Sequence, residues 1–274
     1  MREIMNLDFS AVKILVIGDP MIDWYHFGYV DRISPEAPVP VFIEDRYEKR
    51  LGGAANVWSQ LMHLGCQAYA GYTLESNHWT AKHRYMVGNH QLLRIDEDRC
   101  VISPIPALEG FSAVVISDYA KGACTTEVCL KVITEARKLS IPVIVDPKGK
   151  DWTKYSRATL LCPNSKEYAE GEAQSTVRLM GCQILEKRSA DGLRLHARVL
   201  GDPYQDFPAQ VHHLADVTGA GDIVTAVIAA CMGAKIDLQT ACGLANLAAG
   251  HVVSEVGTSV CPIDKLRELC INMQ

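Results

Sequence analysis

Apolar and polar positions along this chain fall into two kinds of run. Short, continuous apolar stretches recur at residues 12–18 (VKILVIG), 113–117 (AVVIS), 141–145 (IPVIV) and 159–162 (TLLC). A strand covered on both faces needs such a run, so these are expected to be buried parallel strands. Between them lie longer stretches with helical spacing. In residues 53–64, Ala54, Val57, Leu61 and Leu64 share one face, and Gly65 ends the pattern. Residues 126–139 read as an amphipathic helix. Residues 220–232 read as a helix closed by Gly233, and residues 238–253 as another close behind it. Residues 91–95 (QLLRI) are strand-like, and residues 184–186 with 193–195 suggest a hairpin. Residues 39–44 (VPVFIE) form a short strand that Pro38 and Pro40 push to an edge or a separate flap.

Strands alternating with helices indicate an α/β chain with a doubly wound, mostly parallel sheet flanked by helices. Ligands of such sheets bind beyond the carboxyl ends of the strands. Several of these strands end there in Gly, Asp, Asn or Ser-Asp. No internal repeat or Gly/Ser linker divides the 274 residues, so a single domain is expected, carrying a small β flap or lid from about residues 25–46 and a strand near 91–95.

Composition removes some functions. The formal net charge is −5, which gives no support to a general nucleic-acid binder, so an anionic ligand needs a local site. The longest apolar stretch, residues 223–234, is interrupted by Thr225 and falls short of the roughly 20 residues a membrane span needs. Arg2, Glu3 and Asp8 ahead of a brief apolar run do not suit a secretory signal. The ten cysteines are scattered without a CxxC pair, as expected for reduced thiols in a cytoplasmic protein. His212 and His213 read as a solvated strand end rather than a ligand pair.

Five loops carry candidate chemistry. In residues 216–222 (DVTGAGD), Gly219, Ala220 and Gly221 expose backbone N–H groups at a helix start, which suits phosphate or a developing anion. Asp222 in that first turn is either a helix-stabilising charge or a general base for moving phosphate onto a hydroxyl. Gly52, Gly53 and Asn56 begin another helix, as a ligand approach or as a tight turn. Asp19 and Asp23 follow the first strand and can accept hydrogen bonds from sugar hydroxyls, or be ordinary loop carboxylates. Asn164, Ser165, Lys166 and Glu167 follow the strand at 159–162. Asn164 and Glu167 share a face and suit either a hydrated Mg²⁺ or a helix cap. Lys148, after Asp146 and Pro147, is either a phosphate contact or a solvated lysine. No GxxxxGK[ST] loop or GxGxxG fingerprint occurs.

Taken in order, GGAAN (52–56), DP (146–147), NSKE (164–167) and DVTGAGD (216–222) resemble the motifs of the ribokinase-like, or phosphofructokinase B, sugar kinases. Longer stretches are similar to the heptose 7-phosphate kinases of that family: residues 18–42, GGAANV, NHQLLRIDED, SDYAKGA, residues 145–168 and DVTGAGD. The likeness runs from about residue 12 to 263. It implies a ribokinase-like fold and transfer of the ATP γ-phosphate to the C1 hydroxyl of D-glycero-D-manno-heptose 7-phosphate, a step of ADP-heptose synthesis for lipopolysaccharide. It makes Asp222 the base, with the amides of Gly219, Ala220 and Gly221 stabilising the moving charge. It puts Asn164, Ser165, Lys166, Glu167, Lys148 and, more weakly, Asn246 on the ATP and Mg²⁺ side, with Asn164 and Glu167 acting on the metal through water. Asp23, Gly52, Gly53 and Asn56 face the sugar, and Lys121 and Arg84 are charge-based candidates for the distal phosphate. Family members often dimerise through the lid, here through residues 39–43.

Residues 71–82 and 168–184 are shorter than the corresponding family segments, which touches the sheet edge and the nucleotide pocket. A nucleotidyltransferase domain, fused to the kinase in some relatives, is not expected within these 274 residues. The alternatives are another ribokinase-like sugar kinase with a different acceptor, or a non-catalytic sugar-phosphate-binding relative. A dehydrogenase is the weakest rival.

Overall fold

A computed structural model of the chain describes residues 7–102, 105–170, 181–196, 204–210, 219–254 and 259–271. The first apolar run becomes β1 (Lys13–Gly18), and its alternate side chains enter two separate cores. Ile14 and Val16 join the cluster on one face of the sheet, while Leu15 and Ile17 join the cluster on the other. A strand covered on both faces has no polar side to show, which is why its sequence is a continuous apolar run.

Chain order from β1 is β2 (Pro20–Ile33), β3 (Pro40–Gly53), α1 (Ala54–His63), β4 (Gln67–Ala70), β5 (Thr80–Val87), β6 (His90–Glu97), β7 (Ala113–Ser117) and α2 (Thr126–Lys138). There follow β8 (Val143–Asp146), β9 (Leu160–Leu161), α3 (Ser165–Glu170), β10 (Gln183–Lys187), β11 (Leu193–His196) and β12 (Gln205–Phe207). The last described helices are α4 (Ala220–Gly233), α5 (Leu238–Ser254) and α6 (Ile263–Ile271).

The main sheet has eight strands in the order β12-β11-β10-β9-β8-β7-β1-β4. From β4 to β10 every pairing is parallel, and β11 and β12 turn back antiparallel. The expected hairpin is therefore β10–β11. Side chains of α1, α4, α5 and α6 cover one face. On the other face, Cys129, Val132, Ile133 and Ala136 of α2 pack with Trp152 and Tyr155. Thr125 starts α2 by accepting a hydrogen bond from Val128 N–H at 3.2 Å, a cap that contributes about 1 kcal/mol.

The lid is a second sheet in the order β3-β2-β5-β6, larger than expected. Residues 39–44 prove to be the start of 14-residue β3, and residues 91–95 lie inside β6. Pro40 is tolerated because it is the first residue of the strand. β2 and β5 carried no clear period-two signal, because both faces of the lid mix charged and aromatic residues. Asp23, Arg50 and Lys82 lie opposite one another on the first face, and His26, Tyr47 and Tyr85 on the second. The short segment after β4 holds one 3₁₀ turn, Ser76–His78, and leads straight into β5. It is anchored by Trp79 packed edge-on against Tyr72, whose hydroxyl donates to the Ala54 carbonyl at 3.2 Å.

All ten cysteines are free, and only Cys100 is exposed. Among the described residues no helix is long and apolar enough to cross a membrane. His212, His213, Asp216 and most of the short segment at 168–184 lie outside the described residues.

Candidate active site

Gly219 adopts a left-handed conformation (φ 83°) and turns the chain into α4. The helix starts at once, and the N–H groups of Ala220 and Gly221 at its start have no intrahelical acceptor. Asp222 follows in the same turn and is buried. Its Oδ2 accepts from the Asn56 amide at 2.6 Å and its Oδ1 from the Tyr119 hydroxyl at 3.0 Å. Asn56 comes from α1 and Tyr119 from the loop after β7, so three separate elements meet at one carboxylate. Burial, reinforced by the nearby charge of Asp146, pushes the Asp222 carboxyl up to about 6, although Asn56, Lys187 and Tyr119 hold it down.

On the other side of Asp222 lies a buried ion pair. Lys187, at the end of β10, donates to Asp146, at the end of β8, at 2.7 Å. The same Asp146 oxygen is 3.5 Å from the Thr225 hydroxyl of α4. Burial disfavours the Lys187 ammonium, but attraction to Asp146 wins and raises it above its ordinary value.

The loop carrying Tyr119 is held by Asp19. The Asp19 carboxylate accepts from the backbone N–H groups of Tyr119 (2.8 Å), Lys121 (3.1 Å) and Ala123 (2.9 Å). Asp118 accepts from Lys154 at 2.5 Å and the Tyr155 hydroxyl at 2.6 Å. Asp19, Asp118 and Cys124 are the one grouping with metal-ligand spacing among the described residues. Both carboxylates are already engaged, so this grouping serves the loop.

The two glycines before α1 are explained by the protein's own packing. Gly53 has φ 55°, and a Cβ there would lie 2.4 Å from the Asp19 carbonyl oxygen. A Cβ on Gly52 would lie 2.7 Å from Asp23 Oδ2. Asp23 is buried and pairs with Arg84 of the lid. Lys121 pairs with Asp98 at 2.6 Å. Both distal-phosphate candidates thus already have carboxylate partners.

Asn164 and Glu167 make a reciprocal cap at the start of α3. Glu167 N–H donates to Asn164 Oδ1 at 2.9 Å, and Asn164 N–H donates to Glu167 Oε2 at 3.0 Å. Lys148 donates to the other Glu167 oxygen at 2.8 Å. Asn164 also bridges to Lys187 of β10, which brings this turn beside the Asp146 pair. Ser165 donates to Glu186 at 2.8 Å, holding α3 on the sheet. Lys166 is exposed and reaches only Glu170, so the structure turns it away from the Asp222 group. Asn246, buried in α5, donates to the Pro208 carbonyl at 2.7 Å and is likewise not joined to that group.

Sequence reading missed Tyr119 as a partner of Asp222, and it missed Lys187 entirely. Lys187 did carry a signal: it ends a strand at the carboxyl edge where such sheets place ligands.

Residues 88–266 match the family model described as pfkB family carbohydrate kinase. The chain is 38% identical to the bifunctional protein HldE of Campylobacter jejuni (strain RM1221), across 93% of this chain and 64% of that protein. It is also 38% identical to the bifunctional protein HldE of Yersinia pseudotuberculosis serotype O:1b, across 94% of this chain and 63% of that one. It therefore spans a little under two thirds of the length of these relatives. Among solved structures it resembles Arabidopsis thaliana ribokinase complexed with ribose and ATP, with a TM-score of 0.76, 16% identity, and coverage of 94% of this chain and 98% of that one. Phosphofructokinase-2 from Escherichia coli gives a TM-score of 0.68 at 17% identity, covering 95% and 98%. These two likenesses show the ribokinase fold. The family match and the identity to the HldE proteins go further: this chain belongs to the pfkB family of carbohydrate kinases.

Proposed function

We propose that the chain transfers the γ-phosphoryl group of ATP to the C1 hydroxyl of D-glycero-D-manno-heptose 7-phosphate, giving the 1,7-bisphosphate. The observation that carries the catalytic part is the buried Asp222 carboxylate at the N-terminus of α4, aimed by Asn56 and Tyr119. The choice of acceptor rests on the motifs similar to heptose 7-phosphate kinases and on the identity to the HldE proteins.

In this reading Asp222 accepts the proton of the C1 hydroxyl as its oxygen bonds to the γ-phosphorus and the bond to the ADP oxygen breaks. The first-turn amides of α4, those of Gly219, Ala220 and Gly221, face the charge that spreads over the moving phosphoryl group. Lys187, held by Asp146, adds a fixed positive charge beside them. Asp23, Gly52, Gly53 and Asn56 form the sugar side. The nucleotide lies toward α3 and β10, with Lys148 at its edge.

The donor set at α3 fits Mg²⁺ through water. Direct ligation by Glu167 would break its bonds to Asn164 and Lys148, whereas Mg²⁺ usually keeps several waters and takes few protein ligands. When bound, the ion neutralises charge on the phosphates. A homodimer through the lid belongs to the same reading, since the lid leaves Ile33, Val39, Tyr47 and Leu93 exposed.

The test is Asp222→Asn. Transfer to heptose 7-phosphate should fall by about 10²–10⁴-fold, as for loss of a positioned base. ATP affinity measured by calorimetry should change little. Wild-type turnover in the variant would remove Asp222 from the role.

A further inference from the structure

Helix α3 is too short to hold its own place. It has six residues, and none of their side chains is fully buried. A helix of that length is marginal in water, so its direction must be set by the elements beneath it. That direction matters in the proposed function, which gives Asn164 and Glu167 at its start to Mg²⁺ and the phosphates of ATP.

Beneath α3 lies a polar pair that the mechanism does not use. Glu186 of β10 and His196 of β11 are both buried. The hairpin pairs Glu186 with Arg194 and Ile184 with His196, so the two sit diagonally across it. His196 Nε2 lies 3.0 Å from Glu186 Oε2.

Both members of the pair reach α3. Glu186 Oε1 accepts from the Ser165 hydroxyl at 2.8 Å. An ionised carboxylate only accepts, so the hydrogen between Oε2 and Nε2 belongs to His196. In the neutral ring Nδ1 is then an acceptor, and the Tyr168 hydroxyl lies 3.3 Å from it. The Tyr168 ring also stacks on the imidazole, with centroids 4.6 Å apart. Ser165 and Tyr168 are three residues apart and share one side of α3. The pair thus grips that side at two points. One point would let a short helix swing, whereas two fix its direction.

Stability alone does not account for the pair. Burying a carboxylate beside an imidazole costs free energy that their attraction repays only in part, and apolar residues of similar size often serve a core as well. Ile184 and Leu185 of the same strand are such residues. The position of the pair in the sheet also assigns it to one substrate. β10 and β11 lie toward one end of the main sheet, and the lid strands follow β1 and β4 at the other.

We infer that Glu186 and His196 are positioning residues for the nucleotide side of the site: acting through Ser165 and Tyr168, they set α3 so that Asn164 and Glu167 meet Mg²⁺–ATP, and they leave the acceptor side untouched. This rests on the reading of α3 as the Mg²⁺ side.

The experiment measures Mg²⁺–ATP binding by calorimetry, with KM values for ATP and heptose 7-phosphate, on wild type, Glu186→Ala, Glu186→Gln and Asn164→Ala. Melting curves check folding. Tyr168→Phe, which removes one hydroxyl and keeps the ring, replaces Glu186→Ala if that variant does not fold. Glu186→Ala should weaken Mg²⁺–ATP binding and raise the KM for ATP by about 10-fold, the scale of one or two lost hydrogen bonds, and Tyr168→Phe should do so by about 3-fold. The KM for the sugar phosphate should stay put in both. Glu186→Gln should recover most of the loss, because its amide oxygen accepts from Ser165 and its amide N–H donates to His196. A folded Glu186→Ala enzyme that binds Mg²⁺–ATP as wild type does, while Asn164→Ala binds it weakly, overturns this inference and leaves the proposed function intact. So does an equal rise in both KM values, or a Glu186→Gln variant as weak as Glu186→Ala. Wild-type Mg²⁺–ATP binding by Asn164→Ala overturns the reading of α3 as the Mg²⁺ side, and this inference with it.

Discussion

The Tyr119 hydroxyl and the Asn56 amide decide where the Asp222 carboxylate points, and they also bear on when it is charged. Both donate to the ionised form and pull its proton affinity down, while burial and Asp146 push it up, with the balance at about 6. In the proposed function the ionised carboxylate is the proton acceptor, so kcat/KM should fall as pH drops through about 6 and level off above it. Tyr119→Phe removes one donor, so the acid limb should move to higher pH; a pH–rate profile of the two enzymes measures this. An unmoved limb would separate Tyr119 from the titrating group. Asp222 itself was legible in the sequence because Gly219, Ala220, Gly221 and Asp222 are contiguous and open an apolar helix. Its partners were not, because Asn56 and Tyr119 lie 166 and 103 residues away along the chain.

At the scale of elements, Asn164 and Glu167 cap each other at the start of α3, and the proposed function gives the same pair Mg²⁺ through water as well. Asn164→Ala should cost about 1 kcal/mol of stability as a lost cap. It should also raise the Mg²⁺ concentration needed for half-maximal activity. Thermal melts read the first effect and a Mg²⁺ titration the second, and an unchanged Mg²⁺ requirement would leave Asn164 as a cap alone. The central strands and the larger helices were readable because each buries a continuous run or a single stripe. In the lid, parts of β3 and β6 were readable, but β2 and β5 were not, since charged and aromatic residues on both faces blur the alternation of apolar and polar positions that marks a strand.

Across the whole molecule the lid presents two surfaces with different chemistry. Its inner face gathers cations above Asp23 and Tyr119. On its outer face, His26 lies 2.9 Å from His83 and 2.5 Å from Glu44, and Trp24 stacks on His83. Tyr47, Leu93 and Ile95 remain exposed on the same face. A lid-mediated dimer should give twice the monomer mass by light scattering at micromolar protein, and Tyr47→Glu should shift it toward monomer by placing a charge in the contact. A monomeric mass for wild type would remove the dimer from the proposal.

The sequence by itself determined the buried strands of the main sheet, the helices that cover them, and the order of the motifs, because these depend on neighbours within a few turns of chain. Only the tertiary structure decided which glycines are dictated by packing and that Lys187 neutralises Asp146. It also decided that Arg84 and Lys121 are already paired. Those outcomes depend on burial and on partners brought together from distant strands, and no local pattern encodes them.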